Sequence, residues 1–192
     1  MNNERSREVL VELQARTQLP TVRLRRAGVD DAARVAALGA RLFLQAYEGR
    51  MDPDDVSAHL GATYGVARQE AELREAGTAI WIAEVEANEA VGFAMLRRRP
   101  IPVGAPGREG VEVARLYVDC DWQGHRLGAT LLATCVSEAR AWGGDVLWLS
   151  VWQQNERAIA FYKRLGLRVV GEQDFVVGAD RQRDHLMALA LR

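Results

Sequence analysis

The sequence predicts a mixed α/β sandwich, and three observations carry that expectation. Its 192 residues are 48% hydrophobic and 27% charged, which suits one domain with a sizeable core. Helical patterns crowd the first third of the chain. The second half alternates strand, helix, strand, helix, strand, a pattern that packs helices against one sheet. The domain is expected over residues 21–192, with residues 1–20 as an N-terminal extension.

The elements follow in order. Glu4 to Gln18 carries Val9, Leu10 and Leu13 on one side of a short helix that Pro20 ends. Thr21 to Ala27 predicts the first strand. Asp30 is placed to cap a helix running to Tyr47, with Ala32, Val35, Ala36, Leu42, Phe43 and Ala46 at helical spacing. Asp52-Pro53 opens another helix, since proline suits the first helical position. That helix carries Val56, Leu60 and Tyr64, and a polar helix over Arg68 to Ala76 stops at Gly77. Ala79 to Glu84 and Ala90 to Leu96 predict two strands joined by a turn containing Asn88. Prolines and glycines from Pro100 to Gly110 make the next connection a loop. Arg168 to Gly171 and His185 to Leu191 predict the closing strands.

Two stretches carry chemistry. Glu112 to Gly128, EVARLYVDCDWQGHRLG, predicts a strand, a turn and a helix start. Glu112, Ala114, Leu116 and Val118 are expected on one face of that strand. Amides at a helix start lack intrahelical partners and carry partial positive charge. Gln123-Gly124-His125-Arg126-Leu127-Gly128-Ala129 is therefore either an anion site, most often for phosphate, or an ordinary turn with a solvated arginine. Leu127, Leu131, Leu132, Val136 and Ala139 give its helix a buried stripe, and Trp142-Gly143-Gly144 ends it. Downstream, Val146 to Trp152 is an apolar run of buried-strand type. Asn155 then offers an N-cap to a helix that Gly166 closes. Asn155 and Tyr162, seven apart, share a helical face. They either point into one cleft or serve as a cap and a core residue.

Composition narrows the function classes. Net charge is −1, so nothing favours nucleic acid or an anionic membrane. No apolar run is long enough to span a bilayer, and the opening MNNERSREVLVELQ lacks a signal-peptide core, so a cytoplasmic location is expected. Cys120 and Cys135 match no metal spacing; free thiols and no metal are expected.

QGHRLGA followed by NERAIAFYKRLGL resembles the GNAT superfamily of acyl-CoA-dependent N-acetyltransferases. Arg126 stands where the family's first glycine usually falls, and a helical conformation would still let it present its backbone N–H. The resemblance implies a central mixed sheet, splayed in the middle and flanked by helices, with acetyl-CoA held in the splay. It implies pyrophosphate on the amides from Gln123 to Ala129. It implies pantetheine pairing with the backbone of Leu116, Tyr117 and Val118, and Asn155 against the same arm. Tyr162 matches the family's proton donor to the coenzyme A sulfur. Glu112, eleven residues before Gln123, matches the general base of the histone-modifying members. Cys120 lacks an activating partner at a recognisable spacing, so direct transfer is expected.

From Pro20 onward the chain resembles the PaiA-type subgroup, which includes spermidine and spermine N-acetyltransferases. The resemblance rests on FLQAY at 43–47, DPDD at 52–55, LWLSVWQQNERAIAFYKRLG, and Phe175 to Gly178 with Gln182, Asp184 and Met187. A polycation wants carboxylates and aromatic faces. Phe43, Tyr47, Glu48, Asp52, Asp54 and Asp55 could supply them, or the acids could be helix caps on a solvated face. The expected partner is a small-molecule amine, with the protein a monomer or homodimer. A protein or aminoglycoside acetyltransferase, or a non-catalytic acyl-CoA-binding regulator, is the alternative.

Overall fold

The structure, a computed structural model, describes residues 21–47, 49, 52–177 and 180–191. The helix expected over Glu4 to Gln18 and the acid Glu48 lie outside the described residues. Strand β1 spans Arg23–Arg26, and helix α1 spans Ala32–Tyr47. Helices α2, Pro53–Thr63, and α3, Val66–Arg74, follow. Strands β2, Thr78–Glu84, β3, Ala90–Arg98, and β4, Gly110–Val118, lead into helix α4, Leu127–Ala141. Then come β5, Val146–Trp152, α5, Glu156–Arg164, β6, Arg168–Val177, and β7, Asp180–Ala190.

The seven strands form one sheet in the order β1-β2-β3-β4-β5-β7-β6. All neighbours are antiparallel except β4 and β5, which run parallel. Apolar residues fill both faces. One core packs β2–β5 and β7 against α4 and α5, with Leu131, Leu132, Cys135, Leu147, Leu149, Ile159 and Met187. The other packs α1 and Tyr64 on β2–β4 through Val35, Leu38, Leu42, Phe43, Ile80, Ile82 and Phe93. The mixed sheet between helices is the architecture expected.

The local signals behave as their chemistry dictates, with informative exceptions. Asp52 accepts from the Asp54 amide at 2.8 Å, and Pro53 opens α2. The cap before α1 is different from the one expected. A 3-10 turn over Val29–Asp31 precedes the helix, and Asp31, not Asp30, accepts from the Gly28 amide at 2.9 Å. Arg25 fixes Asp31 there through both terminal guanidinium nitrogens, so an ion pair decides which acid caps. The final hairpin extends well beyond the two short strands expected. Its outer residues Glu172 to Phe175 are exposed, so no apolar alternation announced them.

A bulge in β4 shapes the centre of the sheet. Met95 pairs with Arg115 and Leu96 with Val113, leaving Ala114 as the extra residue. The bulge inverts alternation along the strand. Val111 and Val113 before it, and Leu116 and Val118 after it, all join the core under α4. Ala114 and Tyr117 pack into the α1 core. The single face expected for Glu112, Ala114, Leu116 and Val118 is thus corrected. Glu112 faces Arg97 across the ladder, on the side opposite Leu116 and Val118.

Candidate active site

The sheet opens between its two parallel strands. Gly110, Val111 and Glu112 pair with Val146, Leu147 and Trp148, and pairing stops there. Residues 113–118 of β4 have no strand beside them on the β5 side. A splay of this kind leaves backbone donors and acceptors available to a ligand. Leu116, Tyr117 and Val118 lie along it. The Val118 carbonyl already accepts from the Gln123 side-chain amide at 3.1 Å, which ties the following turn to the strand end.

That turn leads to α4. Asp119 caps a 3-10 turn over Cys120–Trp122 and pairs with Arg41 of α1. Gly124 follows at φ +90° with open space where a side chain would project. Arg126 adopts φ 62°, ψ 3°, a left-handed conformation, so the right-handed helical state expected for it is corrected. The α-helix therefore begins at Leu127, later than the sequence suggests. Arg126 contributes no side-chain cap. The first α4 amides thus lack both an intrahelical acceptor and a capping side chain. His125 and Arg126 are exposed beside them. Gly128 packs closely: a Cβ there would stand 3.3 Å from the Phe161 ring of α5. This contact draws the two motif helices together, with Ala129 one step inward. The uncapped amides and open turn are donors available to an anion.

On α5, Asn155 accepts from the Ala158 amide at 3.2 Å. The capping reading of its carbonyl is the observed one, and its side-chain N–H₂ is not used by the cap. Tyr162 is buried, 8% exposed. Burial raises its phenol above the usual tyrosine value, and Tyr47 and Cys135 add to the shift. Tyr162 packs with Cys135 in the core under α4, and Tyr47 packs on the α1 side of the sheet. Tyr117 is pushed up strongly by burial and by Tyr64. Tyr64 itself is pushed up to about 12, again chiefly by burial. Each of the four tyrosines is within electrostatic reach of another.

Glu112 lies beside a buried ion cluster that sequence reasoning missed. Glu72 of α3 is 2% exposed and accepts from Arg115 at 2.7 and 3.0 Å, Arg97 at 2.6 Å and Arg68 at 3.0 Å. Burial alone would raise Glu72, but these guanidinium groups outweigh it and hold the carboxyl below its usual value. Glu112 shows the opposite balance. Burial raises it, and Arg97, Arg99 and Arg115 offset only part of the shift. A raised carboxyl is a stronger base than an exposed one. The Cys120 thiol is also raised, by desolvation and by Asp121 and Asp119. That shift opposes a thiolate nucleophile.

On the α1 face of the opening, Phe43 stacks on His59 with centroids 4.5 Å apart and meets Tyr47 at 4.6 Å. Phe43 is itself buried beneath them. Tyr47 approaches Trp152 at 6.3 Å, and His59 approaches Phe175 at 6.3 Å. His59, held below its usual value by burial and by Arg115, completes this wall and carried no sequence signal. Asp55 precedes His59 by one helical turn and is half-buried, whereas Asp54 is exposed. The structure thus gathers Phe43, Tyr47 and Asp55 near one wall and leaves Asp54 at the outer helix start. Asp119, Cys120 and Asp121 bring potential metal-ligand atoms within 4.8 Å of one another. Asp119 is occupied by Arg41 and the Asp121 amide. Among the described residues no helix is long and apolar enough to cross a membrane.

Comparison with known proteins bears on this arrangement. Residues 41–167 match the family model described as the acetyltransferase (GNAT) family. An N-acetyltransferase of Mycobacterium tuberculosis, itself uncharacterized, is 31% identical over 85% of this chain and 99% of its own. The peptidyl-lysine N-acetyltransferase YjaB of Escherichia coli is 30% identical over 50% of this chain and 53% of its own. Among solved structures, the PaiA N-acetyltransferase of Thermoplasma acidophilum in complex with coenzyme A superposes with a TM-score of 0.71 at 18% identity, over 88% of this chain and 99% of that one.

Proposed function

The chain belongs to the GNAT family of acetyl-CoA-dependent N-acetyltransferases, and from that premise we propose that it acetylates the primary amine of a small molecule by direct transfer, with a polyamine the leading acceptor. The observation that carries the reading is the splay itself. Supporting it are an uncapped start on α4, a buried phenol on α5 and a carboxyl of raised basicity on β4, the elements that flank the opening.

Acetyl-CoA supplies an acetyl group activated as a thioester. The amides from Gln123 to Ala129, with His125 and Arg126 beside them, hold the pyrophosphate. The free edge of Leu116, Tyr117 and Val118 orients the pantetheine arm, and the Asn155 amide approaches the same arm. Glu112, directly or through water, takes the proton that the amine must lose before its lone pair can form the new C–N bond. Tyr162 gives its proton to the sulfur as the C–S bond breaks. The Tyr47, His59 and Trp152 wall offers aromatic faces to a cation, and Asp54 and Asp55 add negative charge near its rim.

A peptidyl-lysine acceptor is the second reading, favoured by the likeness to YjaB over half the chain. A cytoplasmic location fits either substrate. A non-catalytic regulator is disfavoured because Glu112 and Tyr162 are both present and both perturbed. The deciding experiment follows acetyl-CoA consumption against polyamines, amino acids, aminoglycosides and lysine peptides. Turnover of spermidine or spermine at millimolar concentration supports the polyamine reading. Turnover of peptides or aminoglycosides alone overturns it and leaves the acetyltransferase activity standing.

A further inference from the structure

Asp184 is a buried acid that the transfer chemistry leaves unused. It lies on β7 opposite Trp152 and is 5% exposed. Alternation along β5 and β7 is unbroken. Leu147, Leu149, Val151, Met187 and Leu189 turn to the core under α4 and α5. Ser150, Trp152 and Asp184 therefore turn to the opposite face, where the Tyr47 ring meets Trp152. The Ser150 hydroxyl donates to Asp184 Oδ2. Oδ1 is buried with no hydrogen-bond partner among the described residues.

The other buried acids differ from it in one respect. Glu72 is held by Arg68, Arg97 and Arg115, Glu84 by Arg23, Arg25 and Arg34, and Asp119 by Arg41. Asp184 has no arginine or lysine partner among the described residues. The adjacent His185 turns its ring to the other face of β7, toward Glu172. Burial raises the carboxyl, and Ser150 and His185 offset only part of that. A buried carboxylate is stable when a cation and a full set of hydrogen bonds complete it. Here one hydroxyl is in place, one oxygen is unpartnered, and an aromatic wall stands beside it.

We infer that Asp184, supported by Ser150, anchors the second, non-reacting ammonium of a diamine or polyamine acceptor. The inference rests on the small-amine reading above and assigns the anchor to β7 instead of Asp54 and Asp55. Asp184 pairs with Trp152, one strand beyond β5 on the side away from β4, and both lie past the last β4–β5 rung, where the sheet is open. An ammonium seated there holds an amine several methylenes away at the splay, which fixes the reacting nitrogen by its far end.

The test compares diamines or spermidine with monoamines of matched chain length, in wild type, Asp184→Asn and Ser150→Ala. In Asp184→Asn the KM for the diamine should rise about tenfold or more, while KM for the monoamine and for acetyl-CoA stays within about twofold. Ser150→Ala should shift the diamine KM in the same direction by less, and it decides the matter if Asp184→Asn does not fold. Equal changes for diamine and monoamine, or none, overturn the anchor while wild-type turnover of polyamines keeps the small-amine reading. If wild type acetylates only lysine peptides, the small-amine reading and the anchor fail together.

Discussion

The two strand-to-helix junctions of the donor site use opposite solutions to the same problem. Both follow a central strand, and both must deal with amides that a helix cannot satisfy internally. After β5 the chain caps itself: Asn155 accepts from the Ala158 amide. After β4 the chain leaves the amides open, with Gly124 and Arg126 both at positive φ and no capping side chain. A helix that closes its own start is structural. A helix that leaves its start open, with a left-handed arginine before it, has donors to offer an anion, as proposed above for pyrophosphate. Gly128 against Phe161 locks the open helix to the closed one.

The largest effect should come from charging the open junction. Gly128→Asp sets a carboxylate beside the expected pyrophosphate and should weaken coenzyme A binding about a hundredfold by calorimetry. Because any Cβ there presses on Phe161, Gly128→Ala is the control for packing and should cost far less. Equal losses in the two variants would make the junction a packing contact and nothing more.

Tyr162→Phe tests the closed helix. It keeps the buried ring and removes the hydroxyl, so kcat should fall on the order of 10²-fold while acetyl-CoA affinity holds. The pH profile sharpens the point. A phenol raised above its usual value of about 10 stays protonated, and able to donate, beyond that pH. Activity in wild type should therefore climb as the amine deprotonates, with no descending limb up to about pH 10. A fall near pH 9 would assign the donor to a different group.

The smallest effects separate the two caps by sign. Asn155→Ala removes a satisfied cap and should destabilise the protein by about 1 kcal/mol. Arg126→Gly relieves a left-handed side chain and should stabilise it by about 1 kcal/mol, measured by denaturant melts. If Arg126→Gly also weakens coenzyme A binding, the guanidinium contributes to the phosphate site; if binding is unchanged, the backbone alone serves.

Much of this was legible in the sequence because the signals are local. Asp52-Pro53, Asn155 and the apolar run from Val146 to Trp152 each act within a few residues, and each element formed where expected. The bulge at Ala114 was harder to see. One inserted residue looks like ordinary strand, although Val111 and Val113 sharing a core with Leu116 and Val118 betrays a switch in parity. Arg126 gave no warning of its left-handed state, since that conformation answers to the turn as a whole. The choice of Asp31 over Asp30 depended on Arg25. Glu72 of α3 meets Arg97 of β3 and Arg115 of β4, and Ser150 of β5 meets Asp184 of β7, contacts that only tertiary packing and strand register bring together.

The three-rung seam between β4 and β5 also governs how the protein can change. Among the described residues, strands β1–β4 pair only with one another and strands β5–β7 do likewise, apart from those rungs. A substitution that reshapes the wall on β5 and β7 meets little backbone pairing through which to disturb the turn at Gly124. Changes on β5 and β7 reach the turn at Gly124 through side-chain packing, of which Gly128 against Phe161 is one contact. Side chains on the β5–β7 half can thereby change with little strain passed through the backbone to the free edge of β4.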